Sequence, residues 1–283
     1  MSADNAEQIA EWNGVQGQRW AAMQREIDGV VVPFGAAALD AAKARPGERV
    51  IDIGCGCGDT SFELARRVGS AGRVLGVDVS RPMLEVARAQ AAEPGSAPLA
   101  FADADASEAE LPTGNDLLFS RFGVMFFSQP TAAFAHLRAS LRAGGRCVFV
   151  CWRVPRDNPW AMTPLAAARE ALGITPVRAD PHAPGPFAFA DEARLHSILT
   201  DAGFGVAGIR RFDAPVSLGA TPRTAAEGAM RVGPLSRLLR DLGEGHAPAI
   251  LDAVERALAP LATPQGPVSL NGSTWIVTAT NPS

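Results

Sequence analysis

The spacing of hydrophobic positions divides the chain into a helical beginning, an alternating middle and a mixed last part. Apolar side chains recur at helical intervals through residues 3–45, and the dipeptide Pro46–Gly47 ends that stretch. Short β-branched runs then alternate with amphipathic stretches as far as residue 152. Strands that alternate with helices in this way build a parallel sheet with helices on both faces.

The pattern predicts seven strands. We expect strands at residues 48–53, 73–79, 98–102, 116–120, 146–152, 206–218 and 268–280, and helices at 61–68, 81–92, 131–142 and 191–202. Residues 153–188 are rich in proline and predict an irregular connection with a short helix near 164–172, whereas 224–261 predict two or three amphipathic helices.

These elements predict an α/β fold, with a doubly wound, seven-stranded Rossmann-like sheet, an antiparallel edge strand and a helical cap. We expect a core formed by residues 46–220 and 263–283. Two helical additions, residues 1–45 and 221–262, would form the cap together.

Composition excludes several classes of protein. Of 283 residues, 47% are apolar and 20% charged, which is typical of a globular chain and not of a disordered one. The net charge of −4 argues against a nucleic-acid or anionic-lipid partner. The first ten residues are polar, and no apolar run approaches the ~20 residues that span a bilayer. We therefore expect a cytoplasmic, bacterial protein without a membrane partner, either monomeric or homodimeric.

The four cysteines do not predict a metal site. Cys55 and Cys57 lie between glycines, and Cys147 and Cys151 lie on one apolar strand, so none has the spacing of paired zinc ligands. The chain also has no tyrosine and a single lysine, Lys43, which removes a Tyr/Lys catalytic pair.

A glycine cluster after the first strand is the strongest signal for function. The segment Val50–Thr60 is a buried strand that turns into a helix through Gly54, Gly56 and Gly58. Its GxGxG spacing differs from the GxGxxG of dinucleotide sites, and Asp59 stands where a phosphate needs free amides. This loop therefore favours a ligand without a pyrophosphate.

Two further carboxylates follow the next strands. Asp78 ends the second strand, where a carboxylate accepts hydrogen bonds from both hydroxyls of a ribose. Asp105, with Asp103 as an alternative, follows the third strand and is placed to accept from an adenine amine. The combination indicates a nucleoside that carries no phosphate.

These motifs resemble class I S-adenosylmethionine-dependent methyltransferases, especially bacterial small-molecule enzymes of the ubiquinone/menaquinone-biosynthesis type. The resemblance extends over residues 1 to about 160 and rests on four motifs besides the glycine cluster, which are Gly76–Ser80, Ala104–Ala106, Ser120–Phe127 and Leu141–Arg146. It implies S-adenosylmethionine as the cofactor and S-adenosylhomocysteine as the product.

The resemblance also implies a role for each matching residue. Gly54, Gly56 and Gly58 would surround the methionine part of the cofactor, and Asp52 would position its amino group. Asp78 would hold the ribose and Val79 would lie against the adenine, whose edge would face Asp105 and Ala106. The end of the fourth strand, Ser120, Arg121 and Phe122, would lie beside the sulfonium.

The sequence is less specific about the residues that would bind the molecule that accepts the methyl group. Trp12 and Trp20 form either a helix-packing stripe or part of a lid over the cofactor, and Met125 either joins the core or faces the methyl group. Arg153, Asn158 and Trp160 follow the fifth strand and either cap a turn or form a wall of the acceptor pocket. His182 and His246 are weak candidates for a general base.

The resulting hypothesis is methyl transfer from S-adenosylmethionine to a small-molecule acceptor. Two alternatives remain open at this point. One is a protein whose bound cofactor is structural or serves another reaction, and the other is a nicotinamide-dependent oxidoreductase, which the loop spacing disfavours.

Overall fold

A seven-stranded mixed sheet forms the centre of the protein, as the computed structural model shows for residues 3–176, 180–262 and 266–282. The strands are β1 Arg49–Ile53, β2 Arg73–Asp78, β3 Leu99–Asp103, β4 Asn115–Arg121, β5 Leu141–Trp152, β6 Gly205–Gly219 and β7 Val268–Thr280. Their order is β3-β2-β1-β4-β5-β7-β6, and β7 runs antiparallel to both of its neighbours.

Eleven α-helices in these ranges flank the sheet or extend from it. They are α1 Ala3–Asn13, α2 Val15–Ala22, α3 Gln24–Ala42, α4 Asp59–Val68, α5 Arg81–Ala89, α6 Pro130–Ser140, α7 Pro159–Ala171, α8 Glu192–Asp201, α9 Pro222–Arg231, α10 Pro234–Leu242 and α11 Ala247–Leu258. Right-handed crossovers that leave β1 and β4 in opposite directions place α4 and α6 on opposite faces of the sheet. This confirms the doubly wound fold.

The largest differences from the predicted starting residues are those of β5 and α7, which both begin earlier. Strand β5 starts at Leu141 because a register shift against β4 accommodates Gly144 and Gly145 before regular pairing resumes at Arg146. Helix α7 starts at Pro159. Proline is tolerated in the first turn of a helix because the N–H group that it lacks would have no partner within the helix. The predicted boundary at residue 263 lies outside the described residues.

The helices outside the sheet form their own small core. Buried side chains of α7, α9, α10 and α11 pack with Val268 at the start of β7, in a cluster separate from the main core. Arg240 of α10 reaches helices α1 and α2. Its guanidinium donates to Glu11 and to Gln16 at 2.9 Å each. The two helical additions are therefore joined by one side chain.

No helix in the described ranges has the length and hydropathy that a membrane span needs. Within the same residues, no cluster of His, Cys, Asp and Glu is arranged to hold a metal ion.

The loop after β1 packs directly against the loop after β4. These two neighbouring strands lie where the strand order of the sheet reverses direction. A Cβ on Gly54 would lie 2.7 Å from the Cα of Gly123, and a Cβ on Gly123 would lie 2.7 Å from the Ile53 carbonyl oxygen. The Ser120 hydroxyl donates to that same carbonyl at 2.7 Å and accepts from the Gly123 amide at 3.1 Å. Side chains are thus excluded from this contact.

We expect Gly123→Ala to destabilise the protein by about 1–3 kcal/mol, because the added methyl group overlaps backbone atoms that cannot move independently. Gly29→Ala in α3 is the control, since a Cβ there meets nothing within 4 Å. A helical Gly→Ala change at such a site should be neutral or stabilising. Denaturant unfolding of both variants measures the difference, and equal stabilities would contradict the contact described here.

Candidate functional site

Three aspartates lie at the carboxyl ends of adjacent strands. Asp52 is in β1, Asp78 ends β2, and Asp105 follows β3, whose neighbour in the sheet is β2. In open α/β sheets, ligands bind at this edge, beside the point where the strand order reverses. The three carboxylates that the sequence singled out therefore share one crevice edge.

Asp52 is fully buried. Its Oδ2 accepts hydrogen bonds from the hydroxyls of Thr60, at 2.7 Å, and Ser61, at 2.6 Å, in the first turn of α4. Its Oδ1 has no hydrogen-bond partner among the described residues. Burial raises the pKa of Asp52 to about 6, although the two hydroxyls and the charge of Arg121 oppose this rise. An unsatisfied buried oxygen of this kind costs free energy unless a donor reaches it.

Asp78 is half-buried and held by the backbone. Its two oxygens accept from the amides of Gly56 and Ser80, each at 2.8 Å. Burial raises the pKa of Asp78, and these backbone hydrogen bonds oppose the rise. The glycine loop and the residue after Val79 therefore orient this carboxylate within the protein itself.

The two candidate acids after β3 have different surroundings. Asp103 is exposed and forms an ion pair with Arg81 at 2.7 Å. Asp105 is half-buried, accepts from the amide and the hydroxyl of Ser107 at 2.9 and 2.7 Å, and also accepts from the side-chain amide of Asn5. The geometry favours Asp105 as the acid that faces the crevice, and Ala106 beside it is buried.

Helix α1 lies directly over this edge. The Asn13 side chain donates to the Val79 carbonyl at 2.8 Å and accepts from the Arg81 amide at 3.1 Å. The Ser80 hydroxyl donates to the Trp12 carbonyl at 2.8 Å. These bonds hold α1 against the segment that follows Asp78, so the N-terminal helix covers this part of the sheet edge.

The two tryptophans of this region pack on each other and on the end of β4. The ring of Trp12 meets those of Trp20 and Phe126 edge to face, with centroids 5.5 and 5.4 Å apart. The rings therefore pack helices together, and a role of either tryptophan as a lid over the cofactor stays a prediction.

The glycine loop adopts backbone conformations that favour glycine. Gly56 has a φ of +56°, and a Cβ there would lie 2.6 Å from the Met83 methyl group, so only glycine fits. Cys55 and Cys57 fill the space between the glycines and are buried. Burial raises the pKa of the Cys55 thiol, so it stays protonated and unreactive at neutral pH.

The end of β4 presents three different side chains. Ser120 is buried in the contact between the loops, and Arg121 forms an ion pair with Asp59 at 3.0 Å. Phe122 has a φ of +63°, a strained conformation for an aromatic residue. Its ring stacks on Trp152 at 4.5 Å, which supports this conformation.

An aromatic group continues from Phe122 to the end of β5 and the middle of β6. Phe34 of α3 meets Phe122, Trp152 and Phe212 edge to face, and Trp160 packs on Trp152 at 4.8 Å. Met125 is 1% exposed and belongs to the main core, so its side chain does not line an open surface. Phe122 and Phe212 are the half-exposed members of this group.

Two predicted acceptor-side residues are occupied by contacts within the protein. Asn158 is fully buried, and its amide donates to the carbonyls of residues 153, 154 and 273 while it accepts from Ser273 and Trp160. Arg153 forms ion pairs with Asp157 and Asp213 and lies 5.0 Å over the Trp275 ring. Both tie the end of β5 to β7, and an acceptor-binding role for either stays a prediction.

The two candidate bases are exposed. His182 lies in the proline-rich connection and His246 at the start of α11. Among the described residues, neither imidazole forms a hydrogen bond with the strand-end residues, so neither gains support as a base.

Sequence reasoning missed the residues that reach the site from α1. Asn5 and Asn13 carried no signal because their partners lie some 66 to 100 positions away in the sequence. Gly123 could have been found, since a second glycine at the end of a neighbouring strand indicates close approach of two loops.

Comparison with known proteins identifies the domain that this geometry belongs to. Residues 50–145 match the family described as "Methyltransferase domain". This part of the chain is a class I S-adenosylmethionine-dependent methyltransferase domain. The resemblance stated from the motifs is thereby confirmed, and with it S-adenosylmethionine as the cofactor of this domain family.

Two curated relatives and one solved structure illustrate the similarity. Nocamycin O-methyltransferase of Saccharothrix syringae is 31% identical over 147 residues, which cover 51% of this chain and 52% of the relative. A ubiquinone/menaquinone biosynthesis C-methyltransferase of Cellvibrio japonicus is 31% identical over 122 residues, covering 42% and 49%. The chain thus spans about half the length of the curated relatives it matches.

The solved structure shows the shared fold. It is phosphoethanolamine N-methyltransferase 2 of Haemonchus contortus in complex with S-adenosyl-L-methionine, at 18% identity and a TM-score of 0.51. The match covers 89% of this chain and 53% of that one.

We expect the affinity for S-adenosylhomocysteine to fall as the pH drops below about 6, the pKa of Asp52, because protonation removes the charge that attracts an ammonium group. The loss should approach tenfold per pH unit. Calorimetric titrations between pH 5 and 7.5 measure it, and Asp52→Asn should flatten the part that Asp52 causes. Asp78 remains in that variant, so an unchanged slope would assign the pH dependence elsewhere.

Proposed function

We propose that this protein transfers the methyl group of S-adenosylmethionine to a small-molecule acceptor and releases S-adenosylhomocysteine. The observation that carries the proposal is the placement of Asp52, Asp78 and Asp105 along one crevice edge around a loop of alternating glycines. Methyl transfer itself and the class of the acceptor rest on this geometry and on the domain family.

The residues present fit the cofactor. Among the described residues, Asp52 Oδ1 is a buried acceptor without a donor, which suits an ammonium group. Asp78, oriented by two amides, has carboxylate oxygens that can still accept from ribose hydroxyls. Asp105 and Ala106 would address the adenine, with Val79 against its face.

The bound cofactor supplies a methyl group on a positively charged sulfur, which is already activated for displacement. The protein's own residues therefore contribute orientation and exclusion of water, and proximity of this kind can lower a barrier by about 7–11 kcal/mol. Helix α1, fixed through Asn13 and Trp12, covers the edge where the nucleoside lies. We assign no general base.

The acceptor side is proposed to be lined by the aromatic group around Phe122. Phe122 follows β4, Trp152 ends β5, and Phe212 lies in the middle of β6, so all three lie beyond the strands of the three carboxylates in the sheet order. Half-exposed aromatic rings favour a partly apolar or planar acceptor. A cytoplasmic location and a monomeric or homodimeric state stay predictions.

We expect S-adenosylhomocysteine, but not NADH, to raise the melting temperature. A ligand at 100 times its dissociation constant stabilises a fold by about 2.7 kcal/mol. Asp78→Ala should weaken binding about tenfold or more, because hydrogen bonds to a charged acceptor are lost. Asp103→Ala, which removes only the exposed partner of Arg81, is the control. A response to NADH alone would overturn the proposal.

Turnover separates the enzyme from a protein that merely binds the cofactor. A labelled-methyl screen over small aromatic acceptors should give S-adenosylhomocysteine and methylated product in equal amounts. Tight cofactor binding without any product in such a screen would favour the structural-cofactor alternative.

We also expect Arg240→Gln to speed the release of S-adenosylhomocysteine by up to about fivefold, because exposed ion pairs contribute about 0.2–1 kcal/mol. Arg240 holds α1 and α2 through Glu11 and Gln16. Arg223→Gln is the matched control, since its partners Asp252 and Glu255 lie in the same helical addition as Arg223. Stopped-flow tryptophan fluorescence measures the rates, and equal effects of the two variants would contradict a role for the Arg240 contact.

A further inference from the structure

The indole ring of Trp152 is held in one orientation at the end of β5. Phe122 stacks on it, with ring centroids 4.5 Å apart and 13° between the ring planes. Trp160 packs against it at 4.8 Å, and Phe34 of α3 meets it edge to face at 5.0 Å. Because rings packed in this way allow little rotation, the fold fixes the direction of the indole N–H group.

Gly272 of β7 lies against one edge of this indole. A Cβ on Gly272 would lie 3.3 Å from Trp152 Cζ3 and 2.7 Å from Phe34 Cζ, so the backbone of β7 passes close to that edge. In an indole, the nitrogen lies on the edge opposite to Cζ3. The N–H group of Trp152 therefore points away from the contact with Gly272.

The N–H group of Trp152 is a donor without an acceptor in the protein. Within residues 3–176, 180–262 and 266–282, nothing accepts a hydrogen bond from Trp152 Nε1, although the indoles of Trp160 and Trp275 both donate within the protein. Trp152 is 5% exposed, and its Nε1 is not one of the fully enclosed, unpartnered atoms of those residues. The small exposed part of Trp152 thus includes the N–H group. Such a donor costs free energy unless water or a ligand accepts from it.

Trp152 lies next to the loops that the proposed cofactor would contact. Strand β5, which Trp152 ends, pairs with β4, and the Phe122 ring that stacks on the indole follows β4 directly. The next residue, Gly123, packs on Gly54 of the glycine loop. Phe122 therefore connects the indole to the contact between the two loops, and the indole is placed to contact a molecule that receives the methyl group there.

The surroundings of the indole favour an uncharged ligand. Its ring neighbours are apolar, and Arg153, which follows Trp152 in the chain, forms ion pairs with Asp157 at 2.5 Å and Asp213 at 3.1 Å. This arginine is thereby already neutralised, so a charged ligand among the apolar rings would lose hydration without gaining a counter-ion. An indole N–H is only a donor, so it pairs with a lone pair and not with an ammonium or amide N–H group.

We propose that the indole N–H of Trp152 donates a hydrogen bond to the methyl acceptor and selects uncharged molecules that present an oxygen or a ring nitrogen to it. This inference rests on the proposed function. Trp152 is the polar group that orients the acceptor within the aromatic group, and Phe122 and Trp160 are positioning residues that hold the indole. A molecule of the same shape without a lone pair lacks this hydrogen bond.

The test compares two flat molecules of the same shape in the presence of saturating S-adenosylhomocysteine. Quinoline carries a ring nitrogen with a lone pair in the ring plane, is uncharged at neutral pH, and differs from naphthalene only in this atom. Equilibrium dialysis measures both dissociation constants for the unaltered chain, for Trp152→Phe and for the control Trp275→Phe. The control is matched because the Trp275 indole already donates to the Ala190 carbonyl at 2.9 Å. Circular dichroism establishes that each variant is folded.

Trp152→Phe should lower the ratio of quinoline affinity to naphthalene affinity about three- to tenfold, as expected for the loss of one hydrogen bond. Any space that the smaller ring leaves is the same for both molecules and cancels in this ratio. Trp275→Phe should leave the ratio unchanged. An unchanged ratio in Trp152→Phe, with both molecules weakened equally, would show that the indole is only a packing residue and overturn the inference.

If Trp152→Phe fails to fold, the indole N–H resonances of the unaltered chain, one for each of its five tryptophans, carry the test. The Trp152 resonance is assigned from nuclear Overhauser contacts to the rings of Phe122 and Trp160. Quinoline should shift it downfield further than naphthalene does, since only quinoline accepts a hydrogen bond. Equal shifts with the two molecules would contradict the inference.

Binding of S-adenosylhomocysteine is measured first and separates the two proposals. A chain that does not bind S-adenosylhomocysteine would reject the proposed function and the inference with it. A chain that binds S-adenosylhomocysteine but neither flat molecule would overturn the inference and leave the cofactor part of the proposed function intact.

Discussion

The contact between the loops after β1 and β4 is the constraint on which the site depends. Gly54 and Gly123 approach so closely that neither position admits a Cβ, and the Ser120 hydroxyl bridges the two loops. Because the chain leaves these strands toward opposite faces, the crevice opens directly beside this contact. The glycine loop and the residues Arg121 and Phe122 take their positions from it.

Hydrogen bonds within the protein hold two carboxylates of the crevice in fixed orientations. Asp78 is held by two backbone amides, and Asp52 by two hydroxyls from the first turn of α4. These hydrogen bonds orient each carboxylate before any ligand binds. Ligand binding therefore costs less side-chain entropy. The Oδ1 atom of Asp52 is the exception, because no described residue donates to it. A buried oxygen without a donor lowers the stability of the protein, as expected for a site that a donor group of a ligand completes.

The helical additions differ in how they are attached. Helix α1 is held by side chains that reach backbone atoms next to Asp78, so its position is coupled to the end of β2. The helices α9, α10 and α11 pack with α7 in a separate core. Arg240 joins the two additions, and the joined helices are our proposed cap over the crevice.

Much of the fold and of the cofactor side was predictable from the sequence, because those features depend on local patterns. Alternating strand and helix periods determine the parallel sheet, and strand-end aspartates must meet at one edge whatever the details of packing. The motifs around Gly54, Asp78 and Asp105 lie in short segments, so their spacing alone pointed to a nucleoside ligand.

Tertiary structure decided everything that depends on partners distant in sequence. It turned Asn158 and Arg153 inward as braces between β5 and β7, and it brought Asn5 and Asn13 to the crevice from the first helix. It also separated Asp105 from Asp103, which differ only in what folds over them. No periodicity encodes such contacts, because they arise only when elements with no local relation pack against one another.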